Sequence, residues 1–92
     1  MSFSIWFKQI LFSYGITQRY CGKSINEHES LISCWAVGRR YPDVVQVSKI
    51  AEFLAEQKDV RGFEDERRAL ILTMVDLITL DKQRQEQIDA VL

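Results

Sequence analysis

Few side chains in this sequence are suited to chemistry. Cys21, His28 and Cys34 are the soft or borderline metal ligands. The two cysteines stand 13 positions apart without a Cys-x-x-Cys, and one histidine cannot complete a Cys2His2 set. No metal and no cofactor are expected, and both thiols are expected to stay reduced. There is no Gly-x-Gly-x-x-Gly, no Walker loop and no His-Glu-x-x-His, and no nucleophile lies at an interpretable spacing from a base. An enzymatic step is therefore not expected. What remains is a set of cations that could meet phosphate: Arg19, Lys23 and the adjacent Arg39 and Arg40. With Lys8 they oppose only Glu27 and Glu29 across residues 1–42, a local charge of +3, whereas residues 43–92 carry −4. A mildly basic front and an acidic rear suit a molecule that turns one face to an anion, even at a formal net charge of −1.

The elements that must position these residues belong to one small domain. The chain has 92 residues, of which 47% are hydrophobic and 27% charged, a composition that excludes a disordered or collagen-like polymer. A domain of this size buries only ~60–65% of its unfolded surface, so a partner subunit would add usefully to a thin stability margin. The longest run suited to a membrane, residues 69–80, has 12 residues and includes Asp76, too short to span a bilayer. Residues 1–12 carry neither a basic leading region nor an Ala-x-Ala cleavage pattern, so a cytoplasmic chain without membrane contact is expected.

The apolar spacing is helical throughout, and no stretch alternates as a strand would. A first helix, roughly Ser2 to Tyr14, carries Phe3, Phe7, Ile10 and Tyr14, widened by Trp6 and Leu11, and stops at Gly15. Thr17 caps a short second helix, where Ile16 and Cys21 can close a hydrophobic staple. That helix ends near Ser24–Ile25, because Asn26 tolerates left-handed geometry. A third runs from about His28 to Val37, with Leu31, Ile32 and Trp35 as its inward edge and Gly38 as its stop, although helical phase leaves Leu31 open between core and surface. Asp43 caps a fourth helix with Gln46 three residues on, the spacing of a capping box, and Val44, Val47, Ile50, Ala51 and Leu54 form its stripe. Residues 57–62 read as a connector. A fifth helix, about Phe63 to Leu80, is apolar over more than half its circumference and needs cover on two sides: the core and a second copy. Residues 81–92 read as a polar tail, either a short sixth helix or frayed.

Two short helices joined at Asn26, the second followed by a basic loop, form a helix-turn-helix. Gly22 lets the helices approach closely, Asn26 makes the turn, and Glu29, Ser30, Ser33 and Cys34 are left for the outer face. At these residues the sequence resembles the phage repressor/Cro-type (XRE-like) helix-turn-helix regulators. Gly15-Ile16-Thr17-Gln18 is similar to that family's Gly-hydrophobic-Thr-Gln opening. Cys21-Gly22 stands at its Leu-Ala pair, Asn26 at its turn glycine, Ile32-Ser33-x-Trp35 at its Ile-Ser-x-Trp, and Gly38-Arg39-Arg40-x-Pro42 at its closing Gly-x-x-x-Pro. The motif covers 28 residues, 15–42, and the stripe Ile50-Ala51-x-x-Leu54 extends the likeness over most of residues 2–80.

The resemblance implies an all-α, five-helix, lambda-repressor-like domain over residues 1–80 that binds double-stranded DNA. Thr17 and Gln18 would hydrogen-bond the DNA backbone. His28, Glu29 and Ser30 would enter the major groove, with Ser33 and Cys34 one turn later. Glu29 could accept from a cytosine amino group, Ser30 could pair with several bases, and Arg39 and Arg40, with Arg19 and Lys23, could neutralise phosphates. A homodimer seam is expected on the fifth helix at Leu70, Leu72, Met74, Val75, Leu77 and Ile78. The sequence departs from the family at a buried Arg-Glu pair, whose positions here are the apolar Leu11 and Ala36. Losing both partners together is the tolerable change, because a lone buried charge is costly. Glu27 and Glu29 also flank the groove-facing end of the third helix and repel phosphate, and His28 stands where Ser or Thr is usual. The leading expectation is a sequence-specific transcriptional regulator, a repressor on a pseudo-palindromic operator. Its rival is an antirepressor-like module that uses the same fold to bind another regulatory protein.

Overall fold

The structure, a computed structural model, describes residues 1–58 and 61–91. It is all-α, with helices α1 (Phe3–Ser13), α2 (Gln18–Ile25), α3 (Glu29–Val37), α4 (Val44–Glu56) and α5 (Phe63–Val91), and no strand among the described residues. No helix is long and apolar enough to cross a membrane among those residues. Part of the connector, residues 59 and 60, and Leu92 of the tail lie outside the described residues.

Several helix boundaries have a local chemical cause. The hydroxyl of Ser2 accepts from the amide of Ile5 at the start of α1. At its other end, Gly15 takes a left-handed φ of +67°, its amide donates to the Phe12 carbonyl, and the Ile16 amide donates back to the Leu11 carbonyl. That is a Schellman stop, with the two apolar residues that usually accompany it. Thr17 Oγ1 accepts from the Tyr20 amide at 3.0 Å to open α2. Asp43 and Gln46 form the reciprocal capping box of α4: Asp43 Oδ1 accepts from the Gln46 amide at 2.8 Å, and Gln46 Oε1 from the Asp43 amide at 2.9 Å.

The core begins with aromatics. Phe3 stacks on Phe7 at 5.6 Å between ring centroids, and Phe7 meets the edge of Trp35 at 6.1 Å. Around them Ile32, Ile50, Leu54 and Met74 are fully enclosed. Leu31 settles between the alternatives left by phase: it is half-buried against this core. Leu11 and Ala36, the two apolar replacements, are both buried, and no charged side chain is buried among the described residues. Trp35 Nε1 is enclosed without a hydrogen-bond acceptor, a loss of about 1–3 kcal/mol that the surrounding packing must offset.

Three expectations are corrected. Val44 is not part of the α4 stripe; it is 82% exposed, because the first turn of α4 runs past the edge of the core. Phe53 and Ala55 are buried in addition, Phe53 under the ring of Tyr20 at 5.8 Å. Residues 81–91 form neither a sixth helix nor a frayed tail. They continue α5, which spans 29 residues. No glycine or proline follows Leu80 to end the helix, and residues such as Lys82, Gln83, Arg84, Gln85 and Glu86 are good helix formers. Asp81 also ties the continuation down: its Oδ2 accepts from the Phe3 amide at 2.8 Å, at the start of α1. Finally, half of the expected dimer seam is already used. Leu70, Met74 and Ile78 are buried where α5 lies along α4 and α1, and Leu77 is half-buried on the same core, leaving Leu72 and Val75 outside.

Candidate nucleic-acid interface

The helix-turn-helix is built by steric necessity at Gly22. A Cβ there would lie 2.7 Å from the Glu27 carbonyl oxygen and 3.4 Å from Ile32 Cγ1, so any side chain would force α2 and α3 apart. Asn26 takes φ 59°, ψ 46°, and the Glu27 amide then returns to the Gly22 carbonyl at 2.8 Å, closing the turn. Non-glycine residues rarely occupy this region, and asparagine is among the few that do.

His28 is the N-cap of α3. Its Nδ1 accepts from the Ser30 amide at 3.1 Å and lies 2.8 Å from Ser30 Oγ. A nitrogen that accepts a backbone N–H carries no proton, so Ser30 donates to it and the ring proton sits on Nε2. The exposed end of α3 therefore carries one ring N–H donor, the hydroxyl lone pairs of Ser30 and the carboxylate of Glu29. These are the complementary group types that base edges read.

The two acids at this end have different fates. Glu29 is exposed. Glu27 is half-buried, and its Oε2 accepts from Gln46 Nε2 at 2.9 Å, which draws its charge toward the N-terminus of α4. A helix N-terminus favours a negative charge, so this contact stabilises the Glu27 carboxylate where it stands.

The residues expected to meet DNA are mostly exposed, with gradations. Thr17, Arg19 and Lys23 are exposed on or beside α2, and Gln18 is half-buried. The Thr17 hydroxyl oxygen already caps α2, so its hydrogen is what it can offer outward. Ser33 and Cys34 are only half-buried, which places them at the flanks of the exposed α3 face. Val37 was missed: it is 59% exposed and shares a face with Ser30 and Cys34 at i, i+4 and i+7. The 30-34-37 spacing could have revealed it. Arg39 and Arg40 follow Gly38, whose φ of +79° ends α3, and both are exposed. Every ion pair among the described residues lies in the rear half, at Lys58–Glu66, Arg67–Glu64 and Arg84–Asp81, so the front cations are not neutralised by such pairs.

The remaining polar chemistry is sparse. No group of three or more His, Cys, Asp or Glu among the described residues could hold a metal ion. Both cysteines are free thiols, and burial pushes that of Cys21 up to about 11. Near the loop, Tyr41 rests beside Asp81, and its phenol is raised above its ordinary value, first by burial and then by the Asp81 charge and hydrogen bond, while Arg84 opposes the shift. Lys82 lies 5.6 Å from the centre of the same ring. Compared with protein-family models, with curated proteins and with solved structures, the chain finds no match.

Proposed function

We propose that this protein binds double-stranded DNA in a sequence-dependent way and regulates transcription as a homodimer, inserting α3 of each copy into successive major grooves ~34 Å apart. The observation that carries the reading is the N-terminal part of the α3 surface: His28, Glu29 and Ser30 are polar and exposed, and the exposed Arg39 and Arg40 follow the other end of the helix. Glu29, Ser30 and the His28 ring read base edges. Arg19, Lys23, Arg39 and Arg40 bind phosphates, and occupying a promoter represses it.

Selection from random duplexes followed by titration at two salt concentrations tests the proposal. Four phosphate contacts per copy give a salt slope of about −3.6, so raising salt from about 50 to about 200 mM weakens each half-site roughly 150-fold. Replacing Arg39 and Arg40 by Ala flattens that slope and weakens all sequences alike, whereas changing Glu29 or Ser30 alters the selected sequence. No enrichment of any duplex over the random pool refutes the proposal. The exposed carboxylate of Glu29 favours a second reading, in which the same face binds a basic segment of another regulator. In that case Glu29→Gln weakens protein capture and duplex binding is absent.

A further inference from the structure

Gln46 uses both ends of its side-chain amide. Its Oε1 accepts from the Asp43 amide at 2.9 Å, which completes the capping box of α4, and its Nε2 donates to Glu27 Oε2 at 2.9 Å. The orientation of the amide is therefore fixed from both sides, and Gln46 and Glu27 are both half-buried. Glu27 is itself tied to a third element, because its backbone amide donates to the Gly22 carbonyl on α2 at 2.8 Å. It stands immediately before His28, the N-cap of α3. The body of α3 packs chiefly on α1 and α2, so this bond gives its start a tie to α4. The bond closes a loop whose ends lie 19 positions apart in sequence. Inside that loop lie His28, Glu29 and Ser30 near one end and Arg39 and Arg40 near the other.

We propose that Gln46 is a positioning residue for duplex recognition: through Glu27 it holds the base-reading start of α3 at a fixed distance from the loop of Arg39 and Arg40. Sequence-dependent binding needs both sets to engage together, since phosphate contacts fix the register in which base edges are read. Recognition groups have to be held to within about 0.5 Å, and hydrogen bonds behind them do the holding. Once Glu27 is released, the start of α3 loses its tie to α4, and arginines anchored on their phosphates no longer keep the base readers in register. The inference rests on the DNA-binding reading and adds to it a residue whose two polar ends already have protein partners.

The test is the preference for the duplex selected from the random pool over a random duplex, read by titrating the full chain. Gln46→Glu keeps an oxygen for the Asp43 amide, as a capping box with glutamate does. It sets a second carboxylate against Glu27 in place of an N–H. The added negative charge weakens selected and random duplexes alike and so cancels in their ratio. The preference falls roughly tenfold, the equivalent of one hydrogen bond to a charged group. Glu27→Ala, which leaves the capping box untouched, lowers it to a similar extent. The double variant Gln46→Glu/Glu27→Gln regains the preference, because the amide at position 27 then donates to the carboxylate at position 46. A role confined to stability would lower Tm and leave the ratio of the folded protein unchanged. Circular dichroism at the temperature of the titration reports folding for each variant. A wild type with no preference among duplexes overturns the DNA-binding reading and this inference together. With a wild type that discriminates, this inference alone is overturned by a folded Gln46→Glu or Glu27→Ala that discriminates equally well, or by a double variant no better than Gln46→Glu.

Discussion

Gly22→Ala is the most direct perturbation of the geometry that places α3. The added Cβ meets a backbone oxygen, that of Glu27, at 2.7 Å, and no rotamer change can relieve a contact with main chain. Either the turn at Asn26 opens or α2 moves away from α3. Overpacking of this kind costs about 1–3 kcal/mol. Alanine recovers up to ~1 kcal/mol of that through its better helix propensity. With the full propensity gain the net loss is up to about 2 kcal/mol, and in a domain of this size each kcal/mol lowers Tm by roughly 4–8 °C. Ser24→Ala is the control: Ser24 is exposed on the same helix, so it gains propensity without a clash and melts at or slightly above wild type. Thermal unfolding followed by circular dichroism reads both. Because the forced movement is at the α2–α3 junction, Gly22→Ala should also lose the proposed duplex affinity at temperatures where it is fully folded. A Gly22→Ala protein as stable as the control and unchanged in affinity would refute the argument that close helix approach sets the placement of α3.

Other outcomes follow from the same reasoning. Asp81→Ala removes the acceptor for the Phe3 amide, a hydrogen bond to a charged group that contributes about 1.5–3 kcal/mol, and for the exposed Arg84, a pair that contributes at most about 0.5 kcal/mol. Hydrogen exchange should then rise in residues 81–91 and in the first turn of α1 while α3 stays protected. Tyr41 holds its proton more tightly when folded, so the folded state binds more protons than the unfolded one above about pH 10, and stability falls there as pH rises. Tyr41→Phe should make that decline shallower in chemical denaturation at alkaline pH. In the native protein a thiol reagent near pH 8 should modify Cys34 and spare Cys21, whose buried thiol is held up to about 11; denaturant should release the second equivalent. Asn26→Ala should destabilise by about 1–2 kcal/mol and Asn26→Gly should not, since only the alanine resists a φ of 59°.

What could be read from the residues was what depends on near neighbours along the chain. Thr17, Asp43 with Gln46, and Asn26 act over two to four positions, and each forms the cap or turn its type suggests. The apolar period located the cores of α1, α3 and α4. It could not reveal which side of an over-apolar helix the chain itself covers. Leu70, Met74 and Ile78 therefore looked as available to a partner as Leu72 and Val75, and only the docking of α5 on α4 and α1 separates them. Polarity after Leu80 suggested a tail, because nothing local shows that Asp81 meets an amide 78 residues away. The hydrogen bond between Glu27 and Gln46 likewise crosses the α3–α4 connection, 19 positions along the chain.

The length of α5 gives the molecule an unusual outline, with a longest dimension of 47 Å against 27 and 22 Å for the others. Beyond Arg84 every described side chain is exposed, so this outer stretch is carried by its own hydrogen-bonded spiral and by the anchorage at Asp81. It projects as a mast. A fluorophore attached near Val91 should stand about 9 Å beyond one attached at Gln85, at 1.5 Å of rise per residue, which makes the shaft a built-in ruler.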